Sequence, residues 1–406
     1  MDSSAPTNDV PAADTAQAFV AVESLPLAGL LVVDFSRVLA GPLATMTLAD
    51  LGARVIKIER PGTGDDTRQW GPPFSATGST YFESVNRNKE SICLDLTDSA
   101  DLATAHSLAQ RADVIVENFR SGTLDSIGLG YDRLAKTNPR VVYASITGFG
   151  SAEGAALPGY DFMVQALGGL MSVTGEAGQP TKVGVALVDV LTAKDATIGV
   201  LAALTARSIT GVGRRIEVNL LSSLQGALVN QAQGFLGAGV TPTAMGNAHP
   251  SIAPYEIVRC ADGPLAIACG NDQQFAKLAD ALGCAELAHD TRFTTNSARV
   301  ANRADLVSAL EDRLAAAPAD NWQRTFTAVG VPAGQVGTIA DGIALAQSLG
   351  LGPTIEVTDA AGVPVGRQIR HPILWTPPLV SPTKAPPALG EHGAAVREWL
   401  SQPIAR

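Results

Sequence analysis

Asp189 stands alone between two apolar runs in "GVALVDVLTAKDATIGVLAALTA" (184–206). A carboxylate in that setting has two readings. It suits the N-cap of a helix, where its oxygen accepts a backbone N–H. It also suits covalent chemistry, because a carboxylate that is ionised yet poorly solvated is a nucleophile toward an activated carbonyl. A helix N-terminus favours the ionised form by roughly 0.3–1 kcal/mol, and apolar surroundings oppose it. Other groups of chemical interest are dispersed: Tyr160 and Asp161 in "GYD" (159–161), the segment "GNAHPSIAP" (246–254), and four arginines, Arg60, Arg68, Arg87 and Arg120, close to strand-like runs. Each has a structural alternative. Tyr160 suits a packed aromatic, Asp161 a helix cap, and 246–254 a linker loop with a structural or solvated His249. Arg68 and Arg87 can grip a carboxylate through two hydrogen bonds, or hold a phosphate or a structural salt bridge. Arg60 and Arg120 suit a solvated surface charge.

The elements that must position these groups follow an alternating pattern. "LLVVDF" (30–35), "RVIKIE" (54–59), "SICLDL" (91–96), "DVIVENF" (113–119) and "VVYASITGF" (141–149) read as strands, with a helix over 41–53 and a helical stretch before 113. Continuous apolar strands alternating with helices predict an α/β fold with a parallel sheet covered on both faces. Helices are predicted near 161–172, 190–209 and 222–238, with strand "RRIEVNLL" (214–221) between the last two. A Gly-rich stretch at 237–256 reads as linker and loop. A smaller α+β lobe with strand "PLAIACG" (264–270) and helix 302–317 reaches residue 330, after which strand-like pieces return. Ligands of open α/β sheets bind at the carboxyl ends of the strands.

Several chemistries lack their motifs. No G-x-G-x-x-G follows the first strand, and there is no G-x-x-x-x-G-K-[ST], G-x-S-x-G or H-E-x-x-H. The four cysteines form no C-x-x-C pair and read as reduced thiols, so no metal or disulfide framework is expected. A net charge of -10 argues against a nucleic-acid partner, while leaving room for a small anion on a local basic patch. No apolar run reaches membrane-spanning length. Residues 1–25 lack Lys and Arg and read as a flexible tail on a cytoplasmic protein.

The residues themselves point to a family. "LAGLLVVDFSRVLAGPLATMTLADLGARVIKIERPGTGDDTR" (27–68) resembles the opening of the class III CoA-transferase family (CaiB/BaiF type), which also contains the α-methylacyl-CoA racemases. "NRNKESICLDL" (86–96), "DVIVENFRSGTL" (113–124), "ALVD" (186–189), "GNAHPSIAPYE" (246–256) and "PPALGEH" (386–392) continue it in order. "GDDTRQWGPPF" (64–74) with "STYFESVNRNK" (79–89) is most similar to the succinyl-CoA:glutarate and dicarboxylate branch. The resemblance implies a Rossmann-like large domain from residues 26–225 and 331–406, a linker and small domain over 226–330, and an interlocked homodimer.

It also implies roles. Asp189 matches the nucleophilic aspartate. Gly246, Asn247, Ala248 and His249 match the glycine loop over it, although this chain carries Asn-Ala-His where more glycines are usual. Leu39, Ala40, Arg60, Leu94, Asp95, Leu96, Thr97, Asn118, Phe119 and Arg120 would line the site for coenzyme A, which enters as the substrate acyl-CoA and not as a resident cofactor. Tyr160 stands where the racemases carry a histidine base; with an ordinary pKa near 10 it favours transfer over racemisation. Tyr160 and Asp161 would then face substrate, and Arg68 or Arg87 would hold the distal carboxylate of a dicarboxylic acid. A racemase or epimerase, and a non-catalytic CoA-binding homologue, are the alternatives.

Overall fold

The computed structural model describes residues 25–403. The tail expected over 1–25 lies outside the described residues except for Leu25, which is buried. Eleven strands are described: β1 Leu31–Asp34, β2 Arg54–Glu59, β3 Lys89–Cys93, β4 Val114–Glu117, β5 Val142–Thr147, β6 Arg215–Asn219, β7 Tyr255–Arg259, β8 Pro264–Ala268, β9 Ala333–Gln335, β10 Thr354–Thr358 and β11 Pro364–Ile369.

The chain divides into two compact units. The first takes residues up to Ser145, then Ala196–Ile216, then Thr354 onward. Its main sheet has the order β3-β2-β1-β4-β5-β6, and β1 to β5 pair in parallel. All four residues of β1 and of β4 are buried, as expected of a strand covered on both faces. Val33, Ile56, Ile92 and Ile115 form one core with Leu108 of the helix Ser99–Arg111 and Val396 of the helix Gly393–Ser401. The carboxyl-terminal helix therefore completes the core begun by the first strands. β1 pairs with β2 on one side and β4 on the other, which makes its carboxyl end the point where the strand order reverses.

The second unit takes Ile146–Asp195 and Glu217–Pro353. It contains the antiparallel sheet β7-β8-β9, with a core built from Leu265, Ile267, Phe275, Leu306, Leu310 and Phe326. These limits differ from those expected at 225/226 and 330/331: residues 146–195, 217–225 and 331–353 cluster with the second unit. Two expected helices are each divided. The one near 161–172 becomes Asp161–Leu167 and Leu170–Val173, separated by Gly168 and by Gly169 at φ 95°. The one near 222–238 becomes Leu220–Ala227 and Val229–Ala238, and Val229 adopts φ 38°. No helix among the described residues is long and apolar enough to cross a membrane.

Candidate active site

Asp189 lies in the first turn of the helix Leu187–Thr210, which begins three residues earlier than the pattern predicts. Its cap comes from elsewhere. Asp161, the first residue of the helix Asp161–Leu167, accepts Val188 N–H at 2.8 Å and Asp189 N–H at 3.3 Å through one oxygen, Oδ1. The N-cap reading of Asp189 is thus corrected: the capping carboxylate belongs to Asp161. Asp161 Oδ2 accepts Gln165 Nε2 at 2.7 Å, and Gln165 Oε1 accepts Val183 N–H at 2.9 Å. Gln165 is fully buried. The pair clamps residues 183–189 to one helix.

The Asp189 carboxylate itself takes no hydrogen bond from another of the described residues. Its pKa is pushed up to about 7, first by burial and second by the charge of Asp161. Burial withholds water from the ionised form, and the neighbouring carboxylate repels it. Tyr160 is 62% exposed, so it is not the packed aromatic of the structural alternative.

The loop 246–254 is a fastened segment and not a free linker. Gly246, at φ 60°, donates its N–H to Gly175 O at 2.9 Å, and a Cβ added there would meet a Glu176 carboxylate oxygen at 2.9 Å. Ala248 N–H closes a turn on Met245 O. His249 accepts Ser251 N–H on Nδ1, and its ring lies 5.2 Å from that of Tyr255. Arg303 donates to His249 O and Ile252 O, and the fully buried Arg299 donates to Ala253 O. Asn247 borders a separate depression of about 390 Å³ beside β7 and β8.

The first unit holds a cavity of about 530 Å³ at the carboxyl ends of β1 and β2. Of the residues expected to hold CoA, Arg60, Leu94, Asp95, Leu96, Thr97 and Phe119 line it, and Leu39, Ala40, Asn118 and Arg120 do not. Leu39 is the N-cap residue of the helix Ala40–Asp50, and Ala40 is buried. Asn118 lies beside the cavity and clamps Arg37, its Oδ1 accepting Arg37 N–H and its Nδ2 donating to Arg37 O. Arg120 is exposed and does not line the cavity. Arg37 does line it; its guanidinium lies 5.4 Å from the centroid of the Phe119 ring, and both it and Arg60 bond to Asp66.

Arg68 and Arg87 require correction as free grips for a substrate carboxylate. Arg68 makes a two-pronged contact with Glu59, both distances 2.7 Å, and stacks 3.7 Å above the Phe82 ring. Arg87, 3% exposed, makes the same kind of contact with Asp50 at 2.9 and 2.6 Å and also donates to Ile369 O. A guanidinium already paired with a buried carboxylate cannot leave it without stranding that charge. Sequence reasoning missed Gln165 and Arg37. Gln165 carried a readable signal, since it lies one helical turn beyond Asp161. Arg37 follows the first strand, where an α/β sheet receives its ligand.

Comparison with known proteins identifies the family. The model of CoA-transferase family III matches residues 27–393. The succinyl-CoA:glutarate CoA-transferase of Mus musculus is 42% identical over 90% of this chain and 84% of its own length. The succinate–glutarate CoA-transferase of Agrobacterium fabrum is 40% identical over 91% of this chain and 94% of its own. A crystal structure of a CAIB/BAIF family protein from Brucella suis superimposes with a TM-score of 0.82 at 45% identity, covering 92% of this chain and 99% of that one. The family model spans nearly the whole chain and the relatives are 40–45% identical over more than two thirds of it: this chain belongs to CoA-transferase family III.

Proposed function

We propose that this enzyme moves CoA from succinyl-CoA, or a similar acyl-CoA, to a small dicarboxylic acid, with Asp189 as the nucleophile. One observation carries the assignment: the Asp189 carboxylate takes no hydrogen bond among the described residues, its backbone N–H is held by a neighbour's carboxylate, and its pKa is pushed up to about 7. Such an oxygen is less stabilised than a solvated one, and so more nucleophilic. An Asp189 oxygen adds to the thioester carbonyl; collapse expels CoA thiolate and leaves an aspartyl–acyl anhydride. The thiolate then attacks the Asp189 carbonyl, forming an aspartyl-CoA thioester and releasing the donor acid as its carboxylate. The acceptor carboxylate attacks that thioester, and the two steps run in reverse. Both intermediates are hydrolysable, so water must be kept away while they exist. The fastened loop Gly246–His249 is the segment we assign to that task. Arg37 and Arg60 supply cations for CoA phosphates at the first unit's cavity, and the apolar Leu94, Leu96 and Phe119 suit the rest of the nucleotide.

We further propose that two chains assemble as an interlocked homodimer. Val229, Phe235, Leu236 and Val240, on and just beyond one short helix, are 54–75% exposed in the single chain, an apolar stripe that suits burial against a second copy.

The test is chemical trapping. Succinyl-CoA is incubated with the protein and hydroxylamine, and the adduct is mapped by mass spectrometry. A hydroxamate on Asp189 supports the reading; turnover with modification elsewhere, or none, removes it. Asp189→Asn is expected to keep CoA affinity and to lose transfer.

A further inference from the structure

The turn between β1 and the helix Ala40–Asp50 is strained and, at the same time, heavily braced. Val38 adopts φ 72°, a left-handed conformation that a β-branched residue enters only when its surroundings force it. The forcing groups are ionic. Lys57 Nζ and Asp65 form an ion pair at 2.9 Å with side chains 1% and 0% exposed. From this pair, Lys57 donates to Ser36 O at 2.8 Å, and the Asp65 oxygens accept Val38 N–H at 3.3 and 3.2 Å. A second fully buried pair, Lys89 and Asp34 at 3.0 Å, holds the same turn at its two ends. Asp34 accepts Ser36 N–H at 2.9 Å, and Lys89 donates to Pro42 O at 2.9 Å.

A core organised only for stability needs neither feature. Buried ion pairs are often replaceable by apolar residues of similar volume without loss, and a left-handed valine raises the energy of the fold. Both converge on one turn, at the point where the strand order reverses, beside the cavity lined by Phe35, Arg37 and Arg60. We infer that Lys57 and Asp65 are positioning residues for the acyl-CoA substrate: their ion pair holds Ser36–Val38 in the one shape that presents the cavity wall to the nucleotide. This inference rests on the proposed placement of CoA in that cavity. The gain is preorganisation, since a turn already in its bound shape loses no freedom when the ligand arrives.

Three full-length variants and titration calorimetry with CoA test it. In Lys57→Met/Asp65→Leu both charges leave together, so the fold is expected to persist while the turn loses its grip. Val38→Gly removes the strain and leaves both ion pairs in place, because glycine adopts a φ of 72° without penalty. The double variant is expected to bind CoA roughly tenfold more weakly, and Val38→Gly to bind it as the parent does or more tightly, with a melting temperature at or above that of the parent. Val38→Gly removes no buried charge, so it decides the matter even if the double variant fails to fold: roughly tenfold weaker binding there would show that the valine, and not the ion pair, holds the turn, and would overturn the inference. Arg37→Gln/Arg60→Gln is the control for the cavity. If it weakens CoA binding while the folded double variant binds like the parent, the positioning inference is overturned and the cavity assignment stands. If the control leaves CoA affinity unchanged, the assignment falls and takes the inference with it.

Discussion

Asp161 and Asp189 are two carboxylate residues joined through the backbone: Asp161 Oδ1 accepts the Asp189 N–H at 3.3 Å. One carboxylate occupies the helix N-terminus, and the other is left beside it without that favourable partner. The electrostatic benefit of the helix end therefore goes to Asp161, while Asp189 feels the charge of its neighbour.

Asp161→Asn keeps an acceptor oxygen at the cap and removes the charge. The Asp189 pKa then falls from about 7, because one of its two causes is gone. The acidic limb of the pH profile of kcat/KM moves to lower pH. At pH 8, where Asp189 is ionised in either protein, kcat falls about threefold to tenfold, because a less basic carboxylate is a poorer nucleophile. An unmoved acidic limb would show that the limb reports another group.

Asp189→Asn trades activity for stability. The Asp189 pKa is 3.8 in an unfolded chain and about 7 in the fold. The folded state thus holds the proton more tightly. The resulting stability is fully present below pH 3.8 and is lost as pH rises through about 7. An amide does not ionise, so the variant escapes that loss. It is expected to be more stable than the parent by about 1–2 kcal/mol at pH 8, with the difference closing toward pH 4. Thermal melts at several pH values check this; equal melting at pH 8 contradicts it.

Gln165→Met removes the bonds to Asp161 and to Val183 N–H at a fully buried position. Loss of stability of about 1–3 kcal/mol is expected from the stranded groups. The functional readout is more telling: kcat falls with little change in CoA affinity, because the bonds of the clamp run to Asp161 and Val183 and hold the segment that carries Asp189. Equal effects on kcat and CoA binding argue for a general loss of structure.

Arg87→Met separates structure from substrate recognition. It leaves the buried Asp50 unpaired, and a loss of about 3–5 kcal/mol is expected in denaturant unfolding. In the folded fraction, the KM for the acceptor acid stays within about twofold of the parent, a change under 0.5 kcal/mol. A large, selective rise in that KM would restore Arg87 as a substrate grip.

The sheet was legible because strands buried on both faces need apolar runs, and "LVVD" and "VIVE" are such runs up to their carboxyl-terminal residues Asp34 and Glu117. Asp189 was legible as chemically unusual because a carboxylate between apolar stretches needs a reason. What its cap would be was not legible, since Asp161 lies 28 residues away and the bond exists only in the fold. The arginines show the same limit more sharply. Arg68 and Arg87 look alike in sequence to any carboxylate-binding arginine, and only the tertiary arrangement of Glu59 and Asp50 decides their partners. Glycine pairs such as Gly168–Gly169 did mark a helix break, but a helical pattern on both sides concealed it.

Asp66 sits between Arg37 and Arg60 and takes a hydrogen bond from each. An anion that comes to those guanidiniums competes with a tethered carboxylate for their donors. A loose sulfate or inorganic phosphate brings only its charge to that contest and gains little. A ligand that also lays a ring and a chain along the cavity brings contact area as well, and can win. Asp66→Asn is expected to bind inorganic phosphate more tightly in titration calorimetry, and an unchanged affinity would show that the carboxylate does not compete.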